Sequence, residues 1–166
     1  LDNIVATFQK ANFVVKPQIL EFDKNPFDGN EDMELVVVCG GDGTINFVVN
    51  KMREKGLDIT LGIIPAGTAN DFAGAIGAKH NILRAARQIA RGTERRVDCG
   101  KVNDRYFVNI LSFGLFTTAS QRTARDAKKQ FGKLAYLKPG LDDLKTMQAL
   151  PIHIEVNGER YDSEIF

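Results

Sequence analysis

The sequence predicts an α/β protein with two parts. Residues 1–95 are expected to form a domain around a parallel sheet, and residues 96–166 to begin a second, mainly antiparallel β domain. The first part is predicted because an apolar run, a glycine-rich turn and a helical pattern follow one another twice, at Leu35–Asn46 and at Gly62–Ala73. The second part is predicted because this alternation stops near Thr93 and strand patterns follow.

The composition is that of a folded domain without a strong charge preference. The 166 residues are 43% hydrophobic, and the formal net charge of +1 gives no argument for nucleic-acid binding. No run reaches the ~18 apolar residues of a membrane span and no signal peptide is seen, so a cytoplasmic protein is expected. Cys39 and Cys99 lie in or beside apolar strands and are expected to be buried thiols of a reducing compartment. The chain opens within a helical pattern and closes within a strand pattern, so we expect a piece of a longer protein.

The first residues of the chain carry weaker patterns. Residues 2–11 repeat apolar side chains at helical spacing. Phe13–Phe22 is rich in β-forming residues, and Pro17 makes it an edge or bulged strand because proline cannot donate to a sheet. Asp23–Asp32 is predicted to be a loop from its Asn-Pro and Asp-Gly-Asn signals.

The first glycine turn has the composition of an anion-binding loop. Leu35–Cys39 predicts a strand buried on both faces, and Gly-Gly-Asp-Gly-Thr then forces a sharp turn. Thr44 or Asn46 is expected to open a helix over Ile45–Glu54, which Gly56 ends. Strand, glycine turn and helix together offer backbone N–H groups and a helix dipole to a phosphate.

Two common phosphate-binding motifs do not occur at this turn. No Gly-Lys-Ser/Thr follows the glycines, which excludes a Walker A loop, and no Gly-x-Gly-x-x-Gly supports a Rossmann fingerprint. Asp42 lies where an anion would dock. Its carboxylate either holds a cation, a water on that cation or a ribose hydroxyl, or it caps a turn.

A second glycine turn is expected to share one crevice with the first. Ile59–Ile64 predicts the next buried strand, and short connections between strands and helices favour a parallel sheet, which binds ligands at the carboxyl ends of its strands. Thr44 and Thr68 would bond a phosphate or cap a helix. Asn70 and Asp71 would begin a short helix, one capping it and the other facing a nucleotide, a metal or an acceptor alcohol.

Two helical patterns have basic faces. Asn81 is expected to cap a helix that runs to Arg91, and Leu115–Lys138 is a second polar, basic helical pattern. The basic residues of these faces are Arg84, Arg87, Arg91, Arg122, Arg125 and Lys129. The face on the first helix is either an ordinary solvated surface or a patch that holds an anionic membrane, at up to about 1 kcal/mol per basic residue. The second helical pattern is either a lid or a membrane-facing excursion from the β domain.

The later part of the chain predicts hairpins. Val97–Val102 and Tyr106–Leu111 are expected to be strands joined by a turn at Asn103-Asp104. Ile152–Val156 alternates apolar and polar residues, and Asn157-Gly158 is the strongest two-residue hairpin signal in the chain.

The two glycine turns together resemble a known family. Gly40–Asn46 and Pro65–Ala73, in this order and at this separation, are similar to the catalytic domain of diacylglycerol kinases, sphingosine kinases and bacterial lipid kinases. The resemblance continues through Val97–Asn103, Tyr106–Ile110 and Gly132–Tyr136. It implies an α/β nucleotide-binding domain followed by a largely antiparallel β domain. It also implies an ATP- and Mg²⁺-dependent transfer of the γ-phosphoryl group to a lipid hydroxyl, that of diacylglycerol or a related lipid.

The resemblance also implies roles for particular residues. Asp71 is implied to be catalytic, and Asp42 is the candidate metal ligand, directly or through water. The family's general base is a glutamate in a late Asp-Gly-Glu segment that the 166 residues do not contain, and Glu159 comes too early to be assigned that role. The residues implied to bind the nucleotide are Gly40, Gly41, Asp42, Gly43, Thr44, Asn46, Gly67, Thr68 and Asn70.

Departures from the family pattern keep two alternatives open. The family commonly has glutamate where this chain has Phe47, and its opening Asn-Pro-x-Ser-Gly loop is not found here. NAD kinases share the Gly-Gly-Asp-Gly-Thr turn but lack the signature at Pro65–Phe72, so they rank lower. The other alternative is a module that binds nucleotide or membrane without catalysis.

Overall fold

The structure is a computed structural model, and it describes residues 1–112 and 149–165. The chain divides into two compact units, Leu1–Ile110 and Leu111–Phe166. The domain division expected at residue 96 stays a prediction. The helical pattern predicted over Leu115–Lys138 lies outside the described residues, together with Arg122, Arg125 and Lys129.

The described elements alternate between helices and strands in the first unit and form a hairpin in the second. In chain order they are α1 Asp2–Gln9, β1 Leu35–Gly40, α2 Asp42–Glu54, β2 Thr60–Pro65, α3 Asp71–Ala75, α4 Ile82–Ala90, β3 Gly100–Val102, β4 Arg105–Phe107, β5 Leu150–Val156 and β6 Glu159–Ile165. Of the helices in this described part of the chain, none has the length and apolar character that crossing a membrane requires.

The predicted α/β class is confirmed by the pairing of β1 with β2. The two strands are parallel and in register from Leu35 opposite Thr60 to Gly40 opposite Pro65. Their carboxyl ends therefore meet at one edge of the sheet, and each is followed directly by a glycine turn. The later strands pair antiparallel, β3 with β4 and β5 with β6.

Apolar side chains cover both faces of the parallel pair. One face packs against α2, whose apolar stripe is fully or nearly buried because it repeats at helical spacing. The other face packs against α1 and α4. The buried residues of the first cluster are Phe27, Val38, Ile45, Val48, Val49, Met52, Ile63, Phe72 and Ala73, and those of the second are Phe8, Ile64, Ala85 and Ala86.

The helix ends follow the predicted capping signals in part. The Asn81 side chain caps α4 by accepting a hydrogen bond from the Arg84 N–H at 3.1 Å, as predicted. Gly56 follows α2 with φ +66°, also as predicted. The start of α2 was predicted too late, because the Gly41 carbonyl already accepts the Thr44 N–H at 2.9 Å. The helix therefore begins at Asp42, and the prediction that Thr44 or Asn46 opens it is wrong.

The predicted strand over Phe13–Phe22 does not form. This segment has no assigned strand, because a strand needs a partner and Pro17 removes one donor. Phe13 and Val15 pack against the second cluster, whereas Val14 is 94% exposed. The alternation of Phe13, Val14 and Val15 therefore reflects packing of one side of a segment that has no assigned strand.

The loop that follows is tied to the C-terminal end of α2. Phe27 is 1% exposed and belongs to the first cluster. Lys55 forms ion pairs of 2.7 Å with both Asp28 and Glu31. The hydrogen bond from Lys55 is the main reason why the pKa of Glu31 is lowered. The predicted loop is thus confirmed, and one buried ring fixes its position.

The two predicted hairpin turns are confirmed, whereas the burial of the cysteines is not. Residues Asn103 and Asn157 adopt positive φ at their turns, and Gly158 has φ +82°. The strands β3 and β4 are shorter than predicted. Cys39 and Cys99 are unpaired thiols, as expected, but both are exposed, because Cys39 lies at the outer end of β1 and Cys99 precedes a short hairpin.

Gly62 allows α4 to approach β2 closely, and this contact can be tested. An alanine Cβ at this position would lie 2.6 Å from Cγ2 of Ile89, a β-branched side chain with little rotamer freedom. Gly62→Ala is expected to lower the free energy of unfolding by about 1–3 kcal/mol, as overpacking does. Urea unfolding measures the change.

Gly74→Ala is the matched control for this substitution. Gly74 lies in α3, and an added Cβ would meet nothing within 4 Å. It is expected to leave stability unchanged or raise it by up to about 1 kcal/mol, because alanine is the better helix former. Equal unfolding midpoints for the two variants would contradict the close packing of α4 on β2.

Candidate functional site

The candidate site lies where the two glycine turns meet at the carboxyl edge of the sheet. The Ala66 N–H donates to the Gly40 carbonyl at 3.0 Å, which continues the pairing of β1 and β2 beyond the strands. Gly41 and Gly67 then touch backbone to backbone. A Cβ on Gly67 would lie 2.5 Å from the Gly41 Cα, so side chains are excluded where the turns cross.

Asp42 connects the first turn to the helix that follows the second. Its Oδ2 accepts the Asp71 N–H at 3.1 Å, and its Oδ1 accepts the Phe72 N–H at 2.9 Å. These are the first two N–H groups of α3, which have no acceptor within their own helix. Both carboxylate oxygens of Asp42 therefore cap a helix that starts 29 residues later in the chain.

Asn70 shapes the second turn rather than capping α3. It has φ +55°, a left-handed conformation that asparagine tolerates better than most residues. Its Oδ1 accepts the Gly67 N–H at 2.8 Å, and its Nδ2 donates to the Gly67 carbonyl at 2.8 Å. The helix does begin at Asp71, but the prediction that Asn70 or Asp71 caps it is wrong, because both capping oxygens come from Asp42.

Several polar groups at this edge have no partner among the described residues. The Asp71 carboxylate and the Thr68 hydroxyl are exposed and make no intramolecular hydrogen bond in the described chain. The N-terminus of α2 begins after Gly41 without a side-chain cap, so the N–H groups of Asp42 and Gly43 are free of helical acceptors. An added Cβ on Gly43 would meet nothing within 4 Å, so the space beside this helix end is open.

Asn46 and Thr44 lie inside the first turns of α2. The Thr44 side chain lies against Gly40, whose Cβ would come within 2.7 Å of it. The Asn46 Oδ1 is buried and has no hydrogen-bond partner within the described part of the chain. A buried acceptor without a donor is costly, so this oxygen fits a donor from water or from a ligand.

The groups at this edge suit an anion better than a metal ion. The uncapped start of a 13-residue helix supplies N–H donors and a positive dipole end, which suits a phosphate. No group of three or more His, Cys, Asp or Glu side chains within residues 1–112 and 149–165 could hold a metal ion. Mg²⁺ needs less than that, since it is usually bound by one or two carboxylates, waters and substrate phosphates. The free carboxylate of Asp71 fits that requirement.

The cysteine near the turn is not suited to nucleophilic chemistry. Although both residues reach the surface, nearby protein atoms partly desolvate their thiols, and this partial desolvation raises the pKa of Cys39 and of Cys99. Both groups are therefore protonated thiols at neutral pH, whereas a nucleophile must be a thiolate.

Sequence reasoning missed Asn50, which joins α2 to the hairpin of β3 and β4. Its Nδ2 donates to the Tyr106 carbonyl at 2.9 Å and to the Asn46 carbonyl at 2.8 Å, while its Oδ1 accepts the Tyr106 N–H at 2.9 Å. The Tyr106 ring also faces the Arg53 guanidinium at 5.3 Å and the Lys101 ammonium at 5.5 Å. Asparagine is a poor helix former, so its occurrence in the middle of a predicted helix could have indicated a tertiary hydrogen bond.

Phe47 is a packing residue, as one interpretation of the sequence held. Its ring meets the Phe22 ring edge to face with centroids 5.0 Å apart, and it packs against the first cluster. The position where the family commonly has glutamate therefore carries no charge here.

The comparison with protein families bears on the resemblance found in the sequence. Residues 24–102 match the family described as the diacylglycerol kinase catalytic domain, and this segment contains both glycine turns and the Asp42 contact. Over these residues, the chain is therefore similar to the diacylglycerol kinase catalytic domain. The predicted resemblance is confirmed.

Relatives and solved structures show the same similarity. The chain is 38% identical over 135 residues to a diacylglycerol kinase of Bacillus subtilis (strain 168), covering 81% of this chain and 45% of the relative. It is 39% identical to a diacylglycerol kinase of Staphylococcus carnosus (strain TM300), covering 81% and 44%. The crystal structure of a diacylglycerol kinase from Bacillus anthracis str. Sterne is similar with a TM-score of 0.72 at 27% identity, over 98% of this chain and 54% of that one. The chain therefore spans about half the length of these proteins.

The crossing of the two glycine turns can be tested by one added methyl group. Gly67→Ala is expected to lower the free energy of unfolding by about 1–3 kcal/mol, because the clash is with the Gly41 backbone, which cannot rotate away. Thermal or urea unfolding of the chain measures the loss.

Gly43→Ala, in the first glycine turn, is the control, because its Cβ would enter open space in the first turn of α2. It is expected to be at least as stable as the unsubstituted chain. If Gly67→Ala were equally stable, the close crossing of the turns would be wrong.

Proposed function

We propose that the protein containing this chain is an ATP-dependent lipid kinase that phosphorylates the hydroxyl of diacylglycerol or a related lipid. The observation that carries this proposal is the contact of Asp42 with the start of α3. It joins the uncapped N-terminus of α2 and the free carboxylate of Asp71 in one crevice. Diacylglycerol kinase is also the name of the relatives that this chain resembles over 81% of its length.

The nucleotide phosphates are proposed to lie at the start of α2. The N–H groups of Asp42 and Gly43 would donate to phosphate oxygens, and the dipole of α2 would favour the negative charge. The Thr68 hydroxyl is free to donate to the same group. Mg²⁺ bound with ATP would neutralise the charge that develops on the transferred phosphoryl group. The other residues proposed to line the nucleotide site are Gly40, Gly41, Thr44, Asn46, Gly67 and Asn70.

Asp71 is proposed to be the catalytic carboxylate within this chain. It is the acid at this edge whose oxygens make no hydrogen bond or ion pair with the described residues. A free carboxylate can hold a metal-bound water or orient the acceptor hydroxyl. The general base itself is expected in a part of the protein beyond these residues, as in the family.

A non-catalytic binding module is the second candidate function. Phe47 favours it, because an uncharged, packed ring stands where the family commonly has glutamate. The two candidates differ in one measurable property, since only the kinase transfers label from ATP to lipid. A transfer to NAD instead would favour the NAD kinase alternative.

Removing the free carboxylate tests the kinase proposal. In full-length protein, Asp71→Asn is expected to lower kcat with diacylglycerol by about 10²-fold or more, the usual scale for a group that assists proton transfer or binds the metal. The fold should be unchanged, because the contact with Asp42 uses the Asp71 backbone and not its side chain. Transfer of label from γ-labelled ATP to lipid in mixed micelles measures the rate.

Asp58→Asn is the matched control for this experiment. Asp58 is equally exposed but lies before β2, at the opposite edge of the sheet. Its substitution should leave kcat unchanged. Full activity of Asp71→Asn would exclude the assigned role, and absence of any labelled lipid with the unsubstituted protein would favour the binding module.

The basic face of α4 is proposed to contact an anionic membrane surface. Arg84, Arg87 and Arg91 are exposed and have no acidic partner within the described residues. Glu94, the one acid between Lys79 and Arg96, is bound to the Thr60 hydroxyl at 2.7 Å. The opposite side of α4 is buried on the sheet, so the arginines face away from the core. A cytoplasmic protein with peripheral membrane contact would follow.

Charge removal on α4 tests this surface. Changing Arg84, Arg87 and Arg91 together to glutamine is expected to weaken binding to phosphatidylglycerol vesicles by about 10²-fold, at about 1 kcal/mol per charge. Vesicle sedimentation at low and high salt measures the affinity, which should fall as salt screens the charges. The control changes Lys10, Lys16 and Lys24 to glutamine, because these three lysines are exposed and lie outside α4. Equal losses in both variants would assign the binding to net charge instead.

A further inference from the structure

We propose that Asp42 is a positioning residue that assembles the nucleotide crevice, and that it is not a direct ligand of the metal. The consequence for nucleotide binding rests on the proposed function, whereas the evidence for positioning is the geometry of the contact between Asp42 and α3. Asp42 is the first residue of α2, and it binds the first two N–H groups of α3. It thereby fixes two helix starts to one another.

The short helix α3 depends on an acceptor from outside. It has five residues, which is too short for a helix to be stable alone, and Asn70 at its start makes no capping bond to it. An ionised carboxylate is the strongest acceptor that a protein offers to backbone N–H groups. Asp42 supplies both of its oxygens, at 3.1 Å and 2.9 Å. Its charge is therefore already matched to the positive end of α3.

A metal ion bound directly to Asp42 would compete with this cap. The cation would share an oxygen with an N–H group whose partial positive charge lies about 2 Å from it, at ordinary hydrogen-bond geometry. Within the described residues, no further group of acids and histidines surrounds Asp42 to offset that repulsion. The Asp71 carboxylate makes no hydrogen bond or ion pair with the described residues. It is therefore a better candidate than Asp42 to bind the cation that accompanies ATP.

The other contacts between the turns cannot replace this cap. Asn70 closes the second turn on itself through Gly67, and the Gly41–Gly67 contact is a close approach without a hydrogen bond. Without the Asp42 carboxylate, Phe72 and Ala73 would still anchor α3 in the first cluster, but its first turn would lose both hydrogen bonds to the start of α2. Asp71, the first residue of α3, would then be held less firmly at the phosphate site.

The two roles of Asp42 predict different effects of magnesium. In Asp42→Asn one amide oxygen can accept an N–H, while the amide NH₂ group opposes the other. If Asp42 positions the crevice, the affinity for ATP falls by the same factor, about tenfold for one charge-assisted hydrogen bond, in excess EDTA and in excess Mg²⁺. If Asp42 ligates the metal, the affinity in EDTA is unchanged and only the gain from Mg²⁺ is lost. Calorimetric titration of the chain with ATP measures both, and the second result would overturn the proposal.

Hydrogen exchange tests the same contact without any nucleotide. The amide protons of Asp71 and Phe72 should exchange faster in Asp42→Asn than in Asp71→Asn, which removes a carboxylate from the same crevice but keeps the cap. Equal exchange in the two variants would also overturn the proposal.

If Asp42→Asn fails to fold where Asp71→Asn folds, positioning is supported, because a metal ligand contributes nothing to a metal-free fold. If the unsubstituted chain binds no ATP, the proposed function fails while the exchange result still decides the role of Asp42.

Discussion

The pair of hydrogen bonds from α3 to Asp42 is the contact on which the candidate site depends. It satisfies the two N–H groups that a five-residue helix cannot satisfy itself. It also draws the turn after β2 across the turn after β1, where two glycines allow the backbones to touch. As a result one carboxylate of the crevice is used by the fold, and the other, on Asp71, stays available for chemistry.

The helix α2 connects this site to the rest of the first unit. Its start forms one wall of the crevice, its apolar stripe packs on the sheet, and its Asn50 bonds the backbone of Tyr106. Its last turn carries Lys51, whose carbonyl accepts a hydrogen bond from Asn25, and Lys55 follows with its two ion pairs. A phosphate bound at the start of α2 would therefore contact a helix whose position is fixed by contacts along its whole length.

The elements set by local patterns could be predicted from the sequence, whereas those set by distant partners could not. The strands β1 and β2 and the cap at Asn81 follow from apolar runs and a capping residue. The residues of both glycine turns were expected close together at one edge of the sheet, and the two turns do cross at Gly41 and Gly67. Phe13–Phe22 has the composition of a strand, but strand formation needs a partner that local composition cannot reveal. The acceptor of α3 lies 29 residues from it, so no local rule identifies Asp42.

The crossing of Gly41 and Gly67 has a consequence for how the two turns can vary. Each glycine is required because of the other, since the added Cβ would strike the partner's backbone from either side. Once one of them carries a side chain and the turns have separated, a second substitution at the other position removes little that is still intact. The energetic effects of the two positions are therefore coupled and not additive. A substitution at one of these glycines therefore changes which residues the other position tolerates, although more than twenty residues separate them in the chain.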